Sequence, residues 1–241
     1  MPVDTGPDVT TTLERERKYA DPRGTVPKIK NYLEAAGFRH GTRKTLSRAF
    51  EYFDSEHGEL KAEGLSLRSV ASEQDGWIRY DLKTAARTTG DREENSAKYE
   101  YPTNATVADA VAQLMPGRVF SHTLTGIVSF DVVYEKSVAT NQDNTLSFEI
   151  SLDTVRPRRD GKGEFKEIEI ELKAGAPEEF DRLLDNLERE VDLKRLQGTK
   201  LDRVLQYNHF DALREKAEAG QMDAKAIETV LQDGPRTRDM G

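Results

Sequence analysis

Leu13-Glu14-Arg15-Glu16-Arg17-Lys18-Tyr19 is the stretch on which the fold turns. As a strand it sends alternate side chains to opposite faces, with Glu14, Glu16 and Lys18 on one side and Arg15, Arg17 and Tyr19 on the other. Neighbours along the Glu-Glu-Lys row then stand about 6–7 Å apart, two residues at about 3.3 Å each. Two carboxylates and an ammonium in line suit a divalent cation held beside an anion such as a phosphate chain. In a chain this rich in charge the same pattern also arises on a solvated face, so the other strands must decide.

The 241 residues suffice for one large domain; 33% are charged and only 36% hydrophobic, which implies strands with one polar face. There is no cysteine, which excludes disulfides, thiolate metal sites and a cysteine nucleophile. No apolar run is long enough for a membrane span, and Met1 to Thr12 lack a signal-peptide core. The expectation is a soluble, cytoplasmic protein with no membrane partner. A net charge of −8 argues against broad nucleic-acid binding. It leaves room for an anionic ligand bound by basic residues gathered inside a site.

Outward from the first strand, Met1–Thr11 is rich in Pro, Gly, Thr and Asp and reads as flexible. Asp21–Gly24 reads as a turn, and Val26–Ala36 as an amphipathic helix closed by Gly37. Thr45–Phe53, Leu65–Val70 and Trp77–Thr84 read as strands, with turns at Asp54–Gly58 and Ser72–Gly76. Lys98–Pro102 is a short strand, Val107–Leu114 a helix, and Val128–Val138 a long strand rich in β-branched and aromatic residues. Leu146–Asp153 and Glu167–Leu172 alternate cleanly, with the basic loop Arg156–Gly163 between them. Pro177–Val191, His209–Ala219 and Ala224–Gln232 read as helices, and Gly234–Gly241 as a loose tail. The resulting division is a flexible 1–11, one α+β domain over 12–207, a helical extension over 208–233, and the tail 234–241. The terminal helices suit either packing over the barrel or pairing in a homodimer.

The polar faces carry the information. Glu149 and Asp153 lie opposite Ile150 and Leu152; Glu167, Glu169 and Glu171 lie opposite Ile168 and Ile170; Arg79, Asp81 and Lys83 share one face. An ordinary wet face mixes signs, whereas the glutamate rows are pure. In a sheet curled into a barrel with helices outside, these faces line a polar interior that must be paired, hydrated or occupied by an ion and a polyanion. Trp77 and Phe148 read as core. His40, His57, His122 and His209 are scattered without ligand spacing and read as surface or structural residues.

From about Thr12 to Tyr207 the chain resembles the CYTH, or triphosphate tunnel metalloenzyme, superfamily. Its E-x-E-x-K hallmark is Glu14, Glu16 and Lys18. Its second signature resembles Tyr52-Phe53-Asp54-Ser55, Gly58-Glu59-Leu60 and Gly64-Leu65-Ser66-Leu67-Arg68. Trp77–Lys83 is similar to its strand ending in a tunnel lysine, Glu149–Asp153 and Glu167–Glu171 to its late acidic strands, and Gly198-Thr199-Lys200 with Arg203 to its closing element. The resemblance implies an eight-stranded antiparallel β-barrel, the triphosphate tunnel, with helices packed outside. It implies Glu14, Glu16, Glu169 and Glu171 as metal ligands, whose oxygen-only chemistry suits Mg²⁺ or Mn²⁺. It implies Lys18, Arg68, Lys83, Lys200 and Arg203 as phosphate-binding residues, with Lys136 standing for an arginine on the middle strand. Glu169 or Glu149 would orient water. Three features depart from the family: Val70 replaces a second arginine, Lys98-Tyr99-Glu100 stands where R-x-E is usual, and Asp81 stands where a small hydroxyl residue is usual.

The function so implied is divalent-metal-dependent hydrolysis of a triphosphate-bearing small molecule: tripolyphosphate, thiamine triphosphate or a nucleoside triphosphate. A class IV-like adenylate cyclase and a non-catalytic polyphosphate- or nucleotide-binding module are the alternatives.

Overall fold

The computed structural model describes residues 7–21, 24–85, 91–101, 103–158 and 164–219. Strand β1 (Asp8–Ala20) is followed by α1 (Val26–Ala35), β2 (Arg39–His40), β3 (Lys44–Asp54) and the single turn α2 (Glu59–Ala62). Then come β4 (Ser66–Ser72), β5 (Trp77–Lys83), β6 (Asp91–Glu100) and α3 (Val107–Leu114). The long strands β7 (Thr125–Thr140), β8 (Ser147–Pro157) and β9 (Phe165–Ala174) lead into α4 (Pro177–Val191) and α5 (Lys200–Glu218).

Eight strands run in the order β7-β3-β4-β5-β6-β1-β9-β8, and pairing of β8 with β7 closes the ring. Every pairing is antiparallel, and the two-residue β2 is appended to the end of β7. Closure removes the open edges that an eight-stranded sheet would otherwise present. It also commits each face: one side of every strand now looks into the barrel.

The apolar faces look outward and are covered by helices. Tyr19, Phe148, Ile150, Ile168 and Ile170 pack beneath Phe180, Leu184 and Leu187 of α4 and Ile29 and Leu33 of α1. Each side chain of this kind contributes about 1.5–3 kcal/mol when fully buried. On the opposite flank Leu67, Tyr80 and Leu82 pack against Leu60 of α2 and Val111 and Leu114 of α3. Inside the barrel, one end is filled by Phe50, Val70, Phe130, Val132 and Val155, capped by Val204 of α5. The interior is thus polar only in part. Its other part is an apolar plug that α5 stoppers.

Five boundaries differ from the sequence expectation. β1 begins at Asp8, because residues 8–11 pair with Lys98 to Asn95 of β6 instead of lying loose. β6 begins at Asp91, not Lys98; its first half, Asp-Arg-Glu-Glu-Asn-Ser, has no β-forming residue, but β5 and β1 pair with it on either side. α2 follows a segment expected only as a turn. α5 runs unbroken through the expected boundary at residue 207, so its first two turns belong to the barrel stopper and its later residues continue them. Arg156 and Pro157, expected in a loop, end β8. The rest of that loop over 159–163, residues 22–23 of the first turn, the expected helix at 224–232 and the tail at 234–241 lie outside the described residues. Among the described residues no helix is long and apolar enough to cross a membrane.

Candidate functional site

The register of β1 brings the charged rows together. Glu16 stands opposite Glu171 and Lys18 opposite Glu169; on the far side of β9, Glu149 stands opposite Glu171. Directly opposed residues share a face, so these side chains converge on one interior. The outward residues of the same strand bind α4 instead: Arg15 pairs with Asp181, and Arg17 with Asp185 at 2.7 Å and Glu188 at 3.1 Å. One seven-residue stretch therefore both anchors the covering helix and faces the interior.

The interior holds a cavity of about 440 Å³, lined by Glu14, Glu16, Lys18, Arg68, Lys83, Lys136, Glu149, Glu169, Glu171 and Lys200 among others. The Lys18 ammonium lies 2.8 Å from Glu16 and donates to Glu169 at 2.6 Å. Burial alone would lower the Lys18 pKa, yet Glu169 and Glu16 outweigh it and the pKa is raised. Burial would likewise raise Glu169, but Lys18 and Lys200 hold its carboxyl well below the usual range. Lys83 bridges Glu14 at 2.5 Å and Glu94 at 2.7 Å, and Lys136 donates to Glu149 at 2.7 Å. Arg68 donates through Nε to Asp81 at 2.9 Å and through a terminal nitrogen to Glu94 at 3.2 Å.

Lys200, at the start of α5, enters a nest of three carboxylates: Asp153 at 2.6 Å, Glu167 at 3.2 Å and Glu169 at 3.3 Å. Their oxygens lie close enough together for a metal ion, but the ammonium already sits among them. Burial pushes the Asp153 carboxyl up to about 6, against the pull of Lys200. Arg203, expected to bind phosphate, does not line the cavity. It sits behind Lys200 and pairs with the fully buried Glu167.

Glu171 lines the cavity beside Glu14 and Glu16. Burial raises its pKa, and Glu14 and Glu16 push the same way, while Lys173 at 2.6 Å pulls against them. Glu14, Glu16 and Glu171 each have a lysine partner, Lys83, Lys18 and Lys173, and their carboxylate oxygens are donors of the kind that suits a hard ion such as Mg²⁺.

Sequence reasoning missed several cavity residues. Arg92 and Glu94 line the cavity, whereas Lys98 and Glu100, taken for the R-x-E pair, are exposed. The error follows from starting β6 seven residues late; the Arg92-Glu93-Glu94 spacing was itself a usable signal. Arg48 and Arg79 also face inward, and Trp77, packed against the apolar plug as expected, also lines the cavity beneath the Arg48 guanidinium at 5.0 Å and the Lys98 ammonium at 5.4 Å. Phe148 is in the core as expected.

Comparison with solved structures finds the same architecture elsewhere. A candidate adenylate cyclase from Bacillus halodurans superposes with a TM-score of 0.55 at 16% identity, over 80% of this chain and 97% of its own. The chain has the triphosphate-tunnel fold. A candidate adenylyl cyclase from Hippeastrum with a dominant triphosphatase activity superposes with a TM-score of 0.51 at 16% identity, over 78% of this chain and 93% of its own. No family model matches the sequence, and no curated protein matches it.

Proposed function

We propose that the protein is a divalent-metal-dependent hydrolase of a triphosphate-bearing small molecule. The observation that carries this reading is the cavity itself: Lys18, Arg68, Lys83, Lys136 and Lys200 line it together with Glu14, Glu16, Glu149, Glu169 and Glu171. A triphosphate chain needs several cations along its length, and the tunnel supplies them from several strands. A bound Mg²⁺ or Mn²⁺ would polarise phosphate oxygens and neutralise part of the charge that develops in the transition state. Glu14, Glu16 and Glu171 would hold it, with Glu169 completing the set.

In the hydrolysis, a water oxygen forms a bond to the terminal phosphorus as the bridging P–O bond breaks, and orthophosphate leaves the shortened chain. Lys18, Lys83 and Arg68 hold the phosphate oxygens in line with the attack. Glu169, held well below the usual carboxylate range by Lys18 and Lys200, is a weak proton acceptor. Glu149 on β8, positioned by the Lys136 ammonium at 2.7 Å, is the group we assign to orient the water and take its proton.

Two other readings share the tunnel. All five of those cations are already paired internally, which favours a module that binds a phosphate chain without turnover. An adenylate cyclase would need a surface for the base, and Trp77 is an aromatic candidate in the cavity. The test is phosphate release from tripolyphosphate, thiamine triphosphate and ATP with Mg²⁺ or Mn²⁺, with cyclic AMP followed in parallel. Hydrolysis of one substrate that falls by roughly 10²-fold or more in Glu16→Gln supports the hydrolase. Cyclic AMP with pyrophosphate replaces it with the cyclase, and binding without turnover replaces it with the module.

A further inference from the structure

Two histidines that looked unrelated in the sequence meet at the surface, away from the cavity lining. His57 lies in the turn after β3 and His122 in the segment after α3; their rings stand 4.3 Å apart between centroids at an interplanar angle of 82°. Donor atoms of Glu56, His57 and His122 all lie within 4.8 Å of one another. We infer that Glu56, His57 and His122 form a site for a divalent transition-metal ion of the zinc class, distinct from the oxygen-only chemistry of the tunnel and independent of the proposed hydrolase activity.

The orientation of His122 supports this. Its Nδ1 lies 2.7 Å from Glu59 Oε1, and the other oxygen of Glu59 accepts the Ser121 backbone N–H at 3.2 Å. A carboxylate receiving the Nδ1 proton leaves Nε2 with its lone pair outward, the arrangement that orients histidine ligands in metal sites. His57 Nε2 stands 3.6 Å from Glu56 Oε1, roughly the spacing that bonds of about 2.0–2.1 Å impose on neighbouring ligands of a tetrahedral ion. Two nitrogens and one oxygen complete a three-ligand site with its fourth position open to water.

Both segments are held in place without the ion. Asp54 accepts the backbone N–H groups of Ser55, Leu60 and Lys61 at 2.8, 2.9 and 3.1 Å, which pins the turn that carries Glu56 and His57. Gly58 sits in the left-handed region at φ +68°, where a side chain would be strained. On the other side Arg118 pairs with Glu63, tying the segment after α3 to the end of α2. The site therefore costs little ordering on binding, and an ion there would clip the β3–α2 turn to the segment that precedes β7.

The full chain titrated calorimetrically with Zn²⁺ in saturating Mg²⁺ tests this. The expected result is one Zn²⁺ equivalent present in the wild type and in Glu16→Gln, and absent in both His57→Ala and His122→Ala. Glu59→Gln keeps the ligands but should weaken binding about 10–100-fold. Both histidines are exposed, so metal-free melting of the variants should match the wild type and exclude misfolding. Zn²⁺ binding that survives in both histidine variants, or that disappears in Glu16→Gln, overturns the inference. Neither outcome bears on triphosphate hydrolysis in Mg²⁺, which remains a separate measurement.

Discussion

Glu171 shows what its surroundings do to a single carboxyl in the cavity. Burial holds its carboxyl above the usual glutamate range, and Glu14 and Glu16 add to the effect. A metal ligand must shed its proton, so a raised pKa lets protons compete at higher pH. On the proposed reading, Mg²⁺ affinity falls on acidification from a pH above the ordinary glutamate range of about 4.3. In Glu171→Gln the affinity is lower at neutral pH and its decline shifts to more acidic values, as calorimetric titrations between pH 5 and 8 would show. Glu14, Glu16 and Lys18 were legible because alternation alone puts them on one face. Arg203 was not, because its diversion to Glu167 depends on where α5 sits against β9.

Among the elements, α5 joins the two halves of the interior. Its first residue, Lys200, reaches the carboxylate nest, and Val204 one turn later closes the apolar plug. Lys200→Met leaves Asp153, Glu167 and Glu169 buried without that ammonium, and breaking a buried pair of this kind costs about 3–5 kcal/mol. The sign with pH follows from Asp153, already pushed up to about 6 with the lysine present. A carboxyl raised in the folded state above its unfolded value of about 3.9 opposes folding as it ionises. The variant's deficit is therefore largest at pH 7–8 and shrinks towards pH 5, where the nest takes up a proton; urea unfolding at the two pH values checks it. The sequence located the outward helix α4 to the residue because its apolar stripe and entering proline are local signals. It mislocated the start of β6, since a strand built from polar residues is stabilised by partners that lie far away in the chain.

At the scale of the whole molecule, the tunnel is a ring of internal ion pairs that a polyanion and a metal ion would have to rearrange. Arg68 illustrates the exchange: it is shared between Asp81 and Glu94 across three adjacent strands. A ligand that binds only the closed barrel stabilises it by mass action, about 2.7 kcal/mol at a hundred times its Kd. For a domain of this size that raises the melting temperature by roughly 5–10 °C. Tripolyphosphate with Mg²⁺ should produce such a shift in the wild type and a much smaller one in Lys18→Met, measured by differential scanning calorimetry. An equal shift in both would place the anion outside the tunnel.

By itself the sequence determined which face of β1, β5, β8 and β9 is charged, because a period of two is a property of any extended chain. It determined the E-x-E-x-K row and the acidic rows of β8 and β9 for the same reason. Only the tertiary structure decided which charges meet: Lys200 among three carboxylates, Asp81 between two arginines, and His57 beside His122 across 65 residues of chain. Those meetings depend on register, barrel closure and helix docking, which are cooperative outcomes of burying apolar surface and satisfying backbone hydrogen bonds over the whole ring. No local pattern encodes them.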